Sequence, residues 1–274
     1  MSISASQVAA FRAKTGLSMM DCKQALVECS GDEGKALEWL RAKGKGRAEK
    51  AATREAAEGR IGCFVDASGN AGIVEIRCET APVSTTPNFI ELATSVAATV
   101  AATAEPTPEN IRAGKIPGSG KPVAEAIQEV FDRLRENIVI KRVARLSGHT
   151  GLYMHHNGQV GVIVEMSAAC PAEVMGGVCM HIAAMNPQHA RRDEVAAELV
   201  AAEKAKFAEE AKGKPAPVVE KIVEGKLGRW FSEFVLVEQP YVKEEGKRSV
   251  GEMLRSVSKD LTVKRFIRFQ VGGA

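Results

Sequence analysis

The sequence predicts an α+β chain: a small three-helix head, then two similar hairpin-plus-helix units with antiparallel sheets, the second carrying a projecting helical hairpin. Three observations predict it. The first 43 residues show capped helical periodicity, a strand–turn–strand pattern follows Gly59, and that pattern returns with constant spacing after Gly151. At 274 residues and 45% hydrophobic content the chain has material for a sizeable core and for two or three structural units.

Within residues 1–43, Ser4 and Gln7 form a capping box, and Ile3 with Val8 takes the positions of a hydrophobic staple. Val8 and Phe11 give the first helix an inward face, and Gly16 ends it. Ser18 caps a second helix with Asp21 three residues on, and Cys22, Ala25, Leu26 and Cys29 fall at i, i+3, i+4 and i+7. Ser30-Gly31-Asp32 starts a third, with Ala36, Leu37 and Leu40 inward and Gly44 suited to its C-terminus. So small a unit is suited to interaction rather than catalysis. Residues 44–58 read as a charged linker helix with little apolar face. Its cations Lys45, Arg47, Lys50 and Arg54, with Lys43 before them, are diluted by Glu49, Glu55 and Glu58, the pattern of a solvated connector.

Residues 59–146 form the first core unit. Strands over 60–66 and 71–76 flank Ser68-Gly69-Asn70, a hairpin signature. A loop with Pro82 and Pro87 leads to a helix from Asn88 to about Ala104. Residues 122–136 supply a helix with Ile127, Val130, Phe131 and Leu134 on one face, and Ile138 opens a third strand. Residues 147–274 repeat the plan. Strands over 151–155 and 161–166 flank Asn157-Gly158, and a loop with Pro171 precedes a helix through His181. Ile73, Val74, Glu75, Leu92 and Ala93 fall opposite Ile163, Val164, Glu165, Ile182 and Ala183. Residues 193–227 read as an inserted antiparallel helical hairpin, whose arms are exposed to solvent or to a second copy of the chain. Strict alternation over 263–271 marks a returning strand.

Composition excludes several functions. No apolar run approaches the ~20 residues of a membrane span. The N-terminus lacks a charged segment followed by an apolar one, so a cytoplasmic protein is expected. A net charge of +3 and 5% aromatic residues argue against nucleic acid as the partner. Six cysteines without a CxxC spacing read as reduced thiols. The run Gly114 to Lys121 fails as a phosphate loop: its glycine spacing is wrong, and Pro122 stands where Ser or Thr should be. His155 and His156, adjacent on a strand, are expected on opposite faces. No metal site, cofactor, nucleophile constellation or direct nucleotide site is read; the residues point to a binding protein, not an enzyme.

The run Thr15-Gly16-Leu17-Ser18-Met19-Met20-Asp21-Cys22-Lys23-Gln24-Ala25-Leu26 strongly resembles the N-terminal signature of the elongation factor Ts family. So do Gly31-Asp32 through Arg41, the hairpin ending Val74 to Thr80, Asn137-Ile138 with Lys141-Arg142, and Tyr153-Met154-His155. His181-Ile182-Ala183-Ala184, Val223-Glu224-Gly225-Lys226 and Phe266-Ile267-Arg268-Phe269 complete the series, in family order over nearly the whole chain. The resemblance implies a guanine nucleotide exchange factor for elongation factor Tu, with a ubiquitin-associated-like head that docks on the partner's GTPase domain. By similarity Arg12, Met19 and Met20 carry that docking, and His155 faces the partner from the second unit. The family disturbs the partner's magnesium site through Thr-Asp-Phe-Val; this chain has Thr80-Ala81-Pro82-Val83, where Pro82 and Val83 offer a smaller apolar wedge. The competing reading is a binding or RNA-associated module with weakened exchange, and the altered loop is what favours it.

Overall fold

The computed structural model describes residues 3–244 and 247–273; residues 1, 2, 245, 246 and 274 lie outside the described residues. Three helices open the chain: α1 (Ala5–Thr15), α2 (Met19–Glu28) and α3 (Glu33–Ala51). Ser4 and Gln7 make the expected capping box, Gly16 ends α1 with a left-handed φ of 69°, and Ser18 accepts from the Asp21 amide at 3.1 Å. Val8, Phe11, Cys22, Ala25, Leu26, Ala36 and Leu40 close a small core. Leu37, expected inward, is instead exposed.

Gly44 does not end the third helix. α3 runs on to Ala51, and a Cβ at Gly44 would lie 2.3 Å from Asp132 Oδ1. The glycine is a point of close approach between helices rather than a terminator, so residues 44–51 of the expected linker helix continue α3, while 52–57 are turn and irregular chain. Strand β1 (Glu58–Val65) already begins at Glu58.

β1 pairs with β2 (Asn70–Cys78), and β2 with β3 (Val139–Ser147), all antiparallel. A second sheet has the same order: β4 (His149–Met154), β5 (Val160–Met166) and β6 (Val263–Gln270). Between β2 and β3 come α4 (Ala81–Ser84), α5 (Pro87–Ala102), α6 (Pro108–Ala113) and α7 (Val123–Leu134). Between β5 and β6 come α8 (Ala172–Met185), α9 (Ala197–Glu210), α10 (Ala216–Phe234) and α11 (Val250–Val257).

Period-two alternation builds the layers. Val74 and Ile76 of β2 pack with Leu92, Val96 and Ile127 of α5 and α7, while Ala71 and Ile73 pack with Ile163 of β5 and Phe269 of β6. Val162, Val164 and Met166 of β5 pack with Val178 and Ile182 of α8. The two sheets therefore lie face to face with helices outside. Gly62 and Gly72 let α5 close on the first sheet: a Cβ at either would lie 2.3 or 2.2 Å from the carbonyl oxygens of Ala93 and Ala97.

The duplication extends to the register of the strands. Each sheet carries a register shift directly after its glutamate, between Glu75 and Ile76 and between Glu165 and Met166. Each glutamate faces an arginine on the third strand: Glu75 opposite Arg142, with ionic contact at 2.5 Å, and Glu165 opposite Arg265, at 2.7 Å. Burial works against the Glu165 anion, but Arg265 and Lys264 outweigh it and hold its carboxyl below the ordinary range.

The helical hairpin is longer than 193–227. Arg192–Glu194 is a short 3-10 turn and α10 continues to Phe234, because Phe231 and Val235 pack at the hairpin's base with Val195, Trp230 and Phe234. Among the described residues no helix is long and apolar enough to cross a membrane, and no group of three or more His, Cys, Asp or Glu is arranged to hold a metal ion.

Candidate functional site

The site is built from α1, α2, the segment after β2 and the β4–β5 turn. Arg12 is exposed in the last turn of α1. The Ser18 cap starts α2 so that Met19 and Met20 occupy its first turn, where neither reaches the core. Met19 is 42% exposed and Met20 72%, and a flexible thioether in that position suits an apolar groove on a partner.

Asp21 follows immediately and is turned inward. Its carboxylate receives Arg47 Nη2 at 2.9 Å, Arg47 Nη1 at 3.1 Å and Arg135 Nη2 at 2.6 Å. Arg47 first, then the Ser18 hydroxyl and Arg135, hold the Asp21 carboxyl at about 2, against the opposing effect of burial. Lys43 Nζ lies 3.8 Å from the same carboxylate. Three of the five cations at 43–54 thus serve intramolecular pairs, since Arg54 meets Glu79 at 3.2 Å. Lys45 and Lys50 remain exposed.

The Thr80–Val83 segment is not a loop. Ala81–Ser84 forms the single turn α4, with Pro82 near its start, where a fixed φ favours helix. Pro82 and Ala81 are exposed, whereas Val83 packs against the first core; the expected wedge is narrowed to Ala81 and Pro82. Phe89 is fully buried in α5 and does not replace the family's aromatic. Thr80 makes no side-chain cap because its hydroxyl donates to Glu136 Oε1 instead. Glu136 Oε2 accepts from the amides of Glu79 and Thr80, each at 3.0 Å.

His155 lies just beyond β4, in the turn closed by the His155 amide on the Val160 carbonyl at 2.9 Å. It is not alternating with His156 on a strand; the two rings lie 4.3 Å apart. The turn's Gly158 carbonyl accepts from the Ile61 amide at 2.9 Å, and Gln159 Nε2 donates to the Gly59 carbonyl at 3.0 Å. Gly59 is opposite Arg77, one residue before β2 ends. The His155 turn and the Thr80 segment therefore leave the sheets at the same end. Lys121, from the failed phosphate loop, is bound to Glu129 at 2.8 Å.

Other signature residues turn out to be internal supports. His181 is buried between Gln239 Oε1, at 3.0 Å from Nε2, and the Val242 amide, which donates to Nδ1 at 3.3 Å; Nε2 therefore carries the hydrogen. Burial pushes the His181 pKa down, partly offset by Gln239. Asn137 donates its amide to Glu79 Oε1 at 2.6 Å. Sequence reasoning quotes Asp21 and Glu79 within the family signatures without assigning their contacts, and it misses Arg135 and Glu136, whose only signal is their place directly before the Asn137 motif.

Fold and surface together define the class, an α+β chain with a duplicated three-stranded unit and a helical head that presents apolar side chains outward. The Elongation factor TS family model matches residues 79–273. Elongation factor Ts of Nitratidesulfovibrio vulgaris (strain DP4) is 40% identical over 291 residues, covering 99% of this chain and 96% of that protein. Elongation factor Ts of Methylococcus capsulatus is 40% identical over 277 residues, covering 99% and 93%, and that of Clostridium botulinum (strain 657) 39% over 285, covering 98% and 92%. The chain belongs to the elongation factor Ts family.

Proposed function

We infer that this chain is a guanine nucleotide exchange factor of translation elongation, binding elongation factor Tu with GDP and stabilising its nucleotide-free state until GTP enters. The near-full-length likeness to proteins named elongation factor Ts carries the reading. Arg12, Met19 and Met20 dock the helical head; the Ala81–Pro82 turn, anchored by Thr80, enters the partner's magnesium and phosphate region; His155 adds a contact from the same end of the sheets. Exposure of Met19, Met20 and Pro82 supports these roles. The assignment follows residues 1–43 as the ubiquitin-associated-like head, 59–146 and 147–274 as the two core units, and α3 as a rigid connection.

The factor makes and breaks no covalent bond. Tenfold faster nucleotide release requires about 1.4 kcal/mol and ten-thousandfold about 5.5. A few interface side chains at about 2 kcal/mol each suffice, provided that they engage the nucleotide-free partner selectively. By reciprocity bound nucleotide weakens the factor's own binding by the same ratio. The RNA-associated alternative loses support, since Lys43, Arg47 and Arg54 are engaged within the chain. Exposed Leu199 and Val218 on the hairpin arms support self-association there, for which sedimentation velocity is the check. This activity agrees with a cytoplasmic location.

Stopped-flow release of fluorescent GDP from elongation factor Tu tests the function. Acceleration is expected, and none at micromolar concentrations of this chain ends the proposal.

A further inference from the structure

One dipeptide touches both halves of the proposed surface. Arg135 reaches Asp21 Oδ2 through Nη2 at 2.6 Å, and Asp21 is bonded in the chain to Met20. Glu136, the next residue, receives the Glu79 and Thr80 amides and the Thr80 hydroxyl, so it fixes the chain directly before Ala81 and Pro82. The Arg135 carbonyl accepts from Arg54 Nη2 at 3.0 Å, drawing the end of the α3 connection to the same point.

The backbone at this point is unfavourable to any side chain. Arg135 ends α7 with φ 63°, a left-handed conformation in which glycine carries no steric penalty and arginine does. Glycine would end the helix without that penalty. The guanidinium's ionic partner is the carboxylate beside the docking methionines.

We propose, resting on the exchange reading above, that Arg135 and Glu136 are positioning residues that hold Met19–Met20 and the Ala81–Pro82 turn in one frame. Arg135 acts through Asp21 on the docking helix, so its loss weakens binding, because the head must be ordered upon association. Glu136 acts through Thr80 on the turn, so its loss slows release once the complex has formed, because the turn spends less time in its productive place.

The test measures GDP release from elongation factor Tu against the concentration of the full chain, giving a maximal rate and a half-maximal concentration. Arg135→Gly removes the guanidinium while easing the backbone, and a melting curve checks that the variant is folded. It is expected to raise the half-maximal concentration about fivefold or more with the maximal rate within about twofold. Glu136→Ala, or Glu136→Gln should the alanine variant fold poorly, is expected to lower the maximal rate about fivefold or more and leave the half-maximal concentration within about twofold. Asp21→Asn combined with Arg135→Gly should be no weaker than Asp21→Asn alone, since Arg135 acts through Asp21, whose pairs with Arg47 and Lys43 that variant breaks as well.

Flat responses, both variants moving the same parameter, or additive effects of Asp21→Asn and Arg135→Gly overturn the proposal. If the unsubstituted chain itself fails to accelerate release, the exchange reading fails; if it accelerates release and any of those patterns appears, only the positioning role fails.

Discussion

Replacing Asp21 by asparagine keeps the side chain's shape and removes its charge at the meeting point of Arg47, Arg135 and Lys43. The Asp21 side chain is 13% exposed, so solvent screens these pairs only partly. Its carboxyl lies at about 2, against an ordinary value of 3.8. At about 1.36 kcal/mol for each pH unit, that difference corresponds to about 2 kcal/mol of stability near neutrality. A carboxyl held below its unfolded pKa contributes fully above 3.8 and loses its contribution as the pH falls towards about 2. Amide hydrogen exchange at Cys22, Ala25 and Leu26 reads the local opening of α2. Asp21→Asn should make that opening easier by about 2 kcal/mol at neutral pH, with the gap closing progressively below about pH 4. A carbon-13 titration of the carboxyl gives the value directly. Titration of Asp21 at or above 3.8, or a stability gap that ignores pH, refutes the reasoning.

Met20→Ala should weaken binding to elongation factor Tu by about tenfold with an unchanged melting temperature, as measured by calorimetry, because this exposed side chain supports no core. Pro82→Ala should slow GDP release in stopped flow, whereas Val83→Ala should chiefly lower stability, since Val83 packs inward. Gly72→Ala should cost about 1–3 kcal/mol in urea unfolding by forcing α5 off the sheet, while Gly176→Ala, with nothing within 4 Å of the added carbon, should cost nothing. Cys63 and Cys179, whose thiols burial pushes up to about 12, should resist a thiol reagent at about pH 8 until the chain is unfolded.

What the sequence disclosed follows the range of the forces involved. Caps at Ser4 and Ser18, the turn at Ser68-Gly69-Asn70 and the apolar face of α7 are decided by neighbours a few residues away, and all appear as expected. Gly44 has the local habit of a terminator, but its role is set by Asp132, far along the chain. α10 outruns its expected end because Phe231 and Phe234 find Val195 and Trp230 at the base of the hairpin. The residues proposed to dock are legible only through family resemblance. The Arg135–Glu136 junction, which joins α7 to α2 and to the end of β2, leaves no periodic trace, because charged pairs between distant segments have no local pattern.

The paired glutamates at the two bulges bear on how the chain reaches its native state. A strand slipped by one residue would push a carboxylate into the aliphatic layer, so each Glu–Arg pair pins the register of its own sheet. The two pins share one chemistry, a carboxylate against a guanidinium, although Glu75 is held by Arg77 as well. They specify alignment without specifying which strand arrives. Choice of neighbour then falls to chain connectivity, with β3 favoured beside β2 because it closes the shorter loop. A β6 strand arriving first would be well aligned but in the wrong sheet, the characteristic hazard of a protein built twice from one plan.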